Sequence, residues 1–162
     1  MNPLEQLIDA MMIHEKGNPK HIQHFLKVYE FAHIIAIREQ VETSIQEIVE
    51  TAAIVHDIGI NTSIEKYGSS AGHYQEIEGP PLAIQMMQKL AYKEDFIARV
   101  AYLVGHHHSY SNIDGLDYQI LVEADFLVNI YEENYQKAQI ETVLRTIFKT
   151  KTGREICQTM YL

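Results

Sequence analysis

Apolar side chains recur along this chain at spacings of three and four and never in sustained alternation, which confines it to packed helices. Asn2-Pro3 starts a first segment, asparagine as cap and proline in the first turn, that runs to about His14 with Leu4, Leu7, Ile8 and Met11 on one face. Gly17-Asn18-Pro19 breaks it and opens a second to about Gln40, carrying Ile22, Phe25, Leu26, Tyr29 and Ala32. Thr43 and Ser44 each precede a Gln or Glu by three positions (Gln46, Glu47), the pattern of a capping box. The third segment then carries Ile45, Ile48, Val49, Ala52, Ala53 and Ile54 and frays near Gly59. Residues 60–79, crowded with Asn, Thr, Ser and Gly, read as a long connection with room for a short helix. Pro80-Pro81 opens a helix to about Tyr92, followed by helices over 93–107, 116 to about 135 and 138–148, with a short terminal one hinged at Thr152-Gly153. The expected fold is all-α: a single domain over residues 1–162, a bundle of about six to eight helices.

The length of 162 residues suits one core. A formal net charge of −9 argues against broad adhesion to nucleic acid or to an anionic membrane. It leaves a small phosphorylated substrate open, because a bound dication can reverse the field inside a pocket. The lone Cys157 excludes an intramolecular disulfide and a Cys-rich zinc module. No apolar run reaches the roughly 18–20 residues of a membrane span, and Met1-Asn2-Pro3-Leu4-Glu5 lacks the order of a secretory signal. A cytoplasmic location is the expectation. The nine histidines are a moderate excess and a first hint of metal chemistry.

Several positions combine ligand-type residues with apolar surroundings. In Ala52-Ala53-Ile54-Val55-His56-Asp57-Ile58-Gly59 an apolar helix interior ends in two side chains that can both ligate a metal. Burying an ionised aspartate there is costly without compensation, from a dication or from a helix-end hydrogen-bond network. His24 shares a helical face with His21 and Val28, where a histidine is most often a hydrogen-bonded interior residue. His21, in the first turn, is expected to be exposed, and His14 and His33 to be structural or surface residues. His106, His107 and His108 end a helix: imidazole suits transition metals, and a protonated ring equally suits the helix dipole. Three consecutive side chains cannot all face one site. Asp125 interrupts an apolar face between Leu121 and Asn129, where a buried acid needs a positive partner. Glu123 reads as solvent-facing.

In their order these pieces resemble the HD-domain family of metal-dependent phosphohydrolases. The matching segments are His24-Phe25-Leu26-Lys27-Val28, Ala53-Ile54-Val55-His56-Asp57-Ile58-Gly59 and Glu123-Ala124-Asp125. The resemblance covers roughly residues 18–135 and leaves 136–162 as a C-terminal helical extension. It implies a helical bundle of HD type in which His24, His56, Asp57 and Asp125 converge on a divalent transition metal (manganese, iron, cobalt, nickel or zinc). Some members hold a second ion. His106 and His107 stand where one further histidine is expected, whereas no histidine stands at Gln75-Glu76, where the other is expected. Glu76 is then expected to substitute, as ligand or as general base, and Asp57 to bridge the ions and orient the attacking water. Lys66, near Ser69 and Ser70, is the expected phosphate-binding group.

The implied activity is hydrolysis of a phosphate ester on a nucleotide or other small phosphorylated metabolite. No Gly-Tyr-Pro follows His106-His107, which disfavours the cyclic-dinucleotide phosphodiesterase branch. A non-hydrolytic ligand-sensing domain and a diiron oxygenase of the same scaffold are the alternatives. The acidic surface and apolar first helix are compatible with a monomer or a homodimer.

Overall fold

A computed structural model describes residues 1–162 as nine helices, joined by short turns except for an eleven-residue connection between α6 and α7. In chain order they are α1 (Pro3–His14), α2 (Pro19–Arg38), α3 (Thr43–Val55), α4 (Ile60–Tyr67), α5 (Gly72–Lys89), α6 (Glu94–Val104), α7 (Leu116–Glu132), α8 (Lys137–Thr146) and α9 (Lys151–Tyr161). Two helix starts form as their sequences predict. The Asn2 side chain accepts from Glu5 N–H (2.9 Å) while the Glu5 carboxylate accepts from Asn2 N–H (2.8 Å), and Asn18 caps α2 by accepting from His21 N–H. The box expected at Thr43 or Ser44 does not form. Helix α3 is capped one residue earlier, at Glu42, so Thr43 already has its backbone inside the first turn.

Helix α3 is the axis of the bundle, with every residue from 49 to 55 buried. It packs on α2, α7, α6 and α1, and α2 also packs on α7. The fully buried Ala52 and Ala53 keep its surface narrow, which lets neighbouring helices approach closely. Its buried C-terminal half ends inside the molecule, at His56-Asp57. Buried Ile120, Leu121, Ala124 and Leu127 on α7 wall the far side.

Residues 60–79 are the main departure from expectation. They hold α4 and the first turns of α5, joined by a four-residue turn that starts at Gly68, whose φ of 66° ends α4. Helix α5 begins at Gly72 and runs straight through Pro80 and Pro81. Two prolines remove two backbone donors from a helix interior, a cost of roughly 3 kcal/mol or more for each one. Tertiary packing offsets it. A Cβ on Gly59 would lie 2.7 Å from Gly79 N, and a Cβ on Gly79 would lie 2.8 Å from Val104 Cγ1. These glycines, which look like helix ends, are places where the start of α4 meets α5 backbone to backbone and where α5 seats a Val104 side chain of α6.

Glu123 is fully buried, contrary to the solvent-facing expectation. Its carboxylate accepts from Lys149 N–H, Thr150 N–H, the Thr150 hydroxyl and the Gln119 amide, which ties the start of α9 to α7. No helix is long and apolar enough to cross a membrane.

Candidate metal centre

Three central helices each deliver ligand-type atoms to one point. From the second turn of α2, His24 Nε2 lies 3.2 Å from His56 Nε2, 3.2 Å from Asp57 Oδ2 and 3.2 Å from Asp125 Oδ1. From the end of α3, His56 Nε2 lies 3.4 Å from Asp57 Oδ2 and 3.5 Å from Asp125 Oδ1. Ligand bonds of ~2.0–2.2 Å to one ion put adjacent ligand atoms about 2.9–3.4 Å apart. His24, His56, Asp57 and Asp125 therefore stand at chelating distance from a common centre, as the resemblance implies.

Proton accounting strengthens this. His56 Nδ1 lies 2.8 Å from Ala53 O, a carbonyl that can only accept, so the proton of the neutral ring sits on Nδ1 and Nε2 offers a lone pair. His107 repeats the device, with Nδ1 2.7 Å from Val104 O, and its buried Nε2 has no hydrogen-bond partner. His24 turns its Nδ1 to Glu132 Oε2 at 3.0 Å. In their neutral forms the three rings thus turn lone pairs toward the two carboxylates, while Asn129 donates to Asp125 Oδ1. Only a positive charge makes such a set stable.

The titration behaviour agrees. Burial works to lower the His56 pKa, but the charge of Asp57 and hydrogen bonds to Asp125 and Asp57 outweigh it and raise it well above the ordinary value. His24 is raised as well: burial again opposes, and the Asp125 hydrogen bond and Asp57 charge win. Burial pushes the two aspartates up, yet the histidines hold both below the usual carboxylate range. Protons on the histidines do here what a dication would do.

A second group adjoins the first. Asp57 Oδ1 lies 3.4 Å from His107 Nε2, and ligand atoms of Asp57, His107 and His108 lie within 4.8 Å of one another. Burial, then the neighbouring His107, pushes His108 down to about 4, which keeps its ring neutral. His108 Nε2 lies 3.1 Å from Gln75 Oε1. Asp57 thus turns one oxygen to each group.

The remaining expected residues fall elsewhere. His106 points outward, its Nδ1 2.7 Å from Tyr102 O and its ring stacked on Tyr102 at 4.0 Å. Glu76 is engaged with the turn after α6, accepting from His108 N–H and Ser109 Oγ at 3.0 Å each, and it is not part of either ligand group. Lys66 pairs with Glu78 at 2.8 Å. Instead, Lys20, Gln75, His108, Asn129 and Glu132 join the ligands in lining a cleft of about 330 Å³ over Asp57. Of these the sequence reading had raised only His108 as a candidate, among the helix-end histidines. Asn129 and Glu132 could have been found from their spacing, since they continue the helical face of Asp125 by four and then three residues.

A model of the HD domain matches residues 21–149 of the chain. Among solved structures, the chain is similar to the crystal structure of a predicted HD superfamily hydrolase from an uncultured Thermotogales bacterium. The two are 23% identical, and the match covers 97% of this chain and 84% of that one with a TM-score of 0.69, a likeness of fold. No curated protein matches the sequence.

Proposed function

Because the chain belongs to the HD domain family, typically metal-dependent hydrolases, we propose that it hydrolyses a phosphate ester of a small metabolite such as a nucleotide, at a centre holding two divalent transition-metal ions. The observation that carries this reading is the convergence of imidazole nitrogens and carboxylates around Asp57, with Nε2-to-carboxylate separations of 3.2–3.5 Å. His24, His56, Asp57 and Asp125 would hold one ion. Asp57, His107 and His108 would hold the other, with Asp57 as the bridge. Bound there, divalent ions lower the pKa of water and polarise a phosphoryl oxygen.

The protein's own groups do the rest. Asp57 has a side chain 21% exposed against 6% for Asp125, so it is the cluster carboxylate open to the cleft, where it accepts a hydrogen bond from the attacking water and aims it. Asn129 donates to Asp125 Oδ1 at 2.9 Å and fixes that carboxylate. Glu76, in place of a base, holds the His108–Ser109 turn against α5. Lys20, at the start of α2, is the cleft's lysine and supplies positive charge to the phosphate where Lys66 does not reach.

Metal analysis of protein purified without chelator, together with a phosphatase screen in added manganese, cobalt or nickel, tests this. Asp57→Ala is expected to lose its bound metal and to lower activity by roughly 10²–10⁴-fold, the span of a positioned acid–base group. Retention of both metal and activity in Asp57→Ala would overturn the proposal. Bound iron without phosphatase activity would favour an oxygenase, and absence of metal a ligand-sensing domain.

A further inference from the structure

The histidines at the centre are oriented in two different ways. His56 and His107 each give the Nδ1 proton to a backbone carbonyl of their own helix end, Ala53 O and Val104 O. Those partners are fixed by the fold. His24 lies within the second turn of α2, where the backbone carbonyls are engaged by the helix itself, and it relies on a side chain from another element. Glu132 Oε2 lies 3.0 Å from His24 Nδ1, while Glu132 Oε1 lies 2.7 Å from Lys27 Nζ. Lys27 follows His24 by three residues on α2, and Glu132 follows Asp125 by seven on α7. The Glu132 carboxylate is therefore held at both oxygens by α2, with its side chain only 13% exposed, two turns from the ligand that its own helix supplies.

We propose that Glu132, clamped by Lys27, is a positioning residue for the metal centre. It keeps the His24 proton on Nδ1, aims Nε2 at the ion, and strengthens the imidazole as a donor through its negative charge. Without it the ring can take the other tautomer or rotate, and one of the four converging ligand atoms is no longer defined. This inference rests on the metal reading above and adds a residue that contributes no ligand atom itself.

Cobalt(II) titration of the apo full-length chain, read by calorimetry and by the visible spectrum of the bound ion, tests it. Glu132→Ala is expected to weaken cobalt binding by roughly 10–100-fold, the usual effect of removing a partner of a ligating histidine, and to shift the cobalt absorption bands. Glu132→Gln, which keeps an acceptor but no charge, is expected to recover part of the affinity. Glu133→Ala, in the same cleft, controls for general electrostatic attraction and is expected to bind within about twofold of the unaltered chain. Unchanged affinity and spectrum in Glu132→Ala would overturn the inference, and so would an equal loss in Glu133→Ala. Should Glu132→Ala fail to fold, Lys27→Met and Glu132→Gln decide, and unaltered binding in both overturns it. Failure of the unaltered chain to bind cobalt would sink the metal reading itself, a result distinct from normal binding that is insensitive to Glu132.

Discussion

His106, His107 and His108 are adjacent in sequence, yet the turn that ends α6 sends them in different directions. His107 is 1% exposed and His108 half-buried in the cleft wall, whereas His106 lies over Tyr102. Substituting the first two positions separately should give opposite results. His107→Ala is expected to reduce bound metal from two equivalents to one and to lower activity at least tenfold, by loss of a ligand to one of two clamping ions. His106→Ala is expected to leave metal content unchanged and activity within about twofold, as for a surface substitution. Elemental analysis with parallel rate measurements checks both, and equal effects of the two would contradict the assigned geometry. The same triplet shows where sequence stops being informative. His24, His56, Asp57 and Asp125 were legible because their order and apolar settings together resemble the HD-domain pattern, though each alone was ambiguous. Past the last turn of a helix the helical period no longer applies. His108 and its partner Gln75, 33 residues apart, could not be placed from spacing alone.

At the scale of elements, helix boundaries were legible where local capping chemistry sets them, at Asn2 and Asn18, and misread where glycine and proline lie inside a packed helix, at Gly79 and Pro80-Pro81. Helix α9 shows the same contrast. Three side chains satisfy its first backbone donors: Thr150 Oγ1 accepts from Gly153 N–H, Glu123 accepts from Thr150 N–H, and Glu39, just past α2, accepts from Thr152 N–H at 2.7 Å. An acidic group at a helix N-terminus also interacts favourably with the helix dipole. Glycine inside an exposed helix normally costs about 1 kcal/mol relative to alanine, so Gly153→Ala ought to stabilise. Here a Cβ would lie 2.5 Å from Glu123 Oε1 and 2.8 Å from Thr150 Oγ1, and Glu123 cannot retreat because four donors hold it. Gly153→Ala is therefore expected to destabilise by roughly 1–3 kcal/mol, the cost of overpacking. Urea denaturation would measure it, and a stabilised variant would show that Glu123 is not pinned as described.

For the whole molecule, stability should depend on metal and pH together. In the apo protein the raised pKa values of His24 and His56 mean that the folded state binds protons more tightly than the unfolded chain does. That stabilisation is fully present below the unfolded value of about 6.5 and is lost as pH rises through the folded values. The depressed aspartates contribute above their unfolded value, and lose that contribution only at acid pH. Glu123, which burial pushes up to about 7, lowers stability as pH rises from its unfolded value to that point. It does so in apo and loaded forms alike, so it cancels from the difference between them. A divalent ion takes the place of the histidine protons, and each proton it must displace weakens its apparent affinity about tenfold per pH unit below the folded histidine value. A tenfold change is about 1.4 kcal/mol, or roughly 3–6 °C in Tm for a chain of this size. The stabilisation on adding manganese or cobalt is thus expected to be small at pH 6 and to grow toward pH 8, per pH unit, by about that much for each histidine proton displaced, in chelator-treated protein followed by thermal melts. Asp57→Ala should flatten the dependence. A metal-induced shift that stays constant from pH 6 to 8 would mean that the ion does not replace protons on His24 and His56, and would place it elsewhere in the molecule.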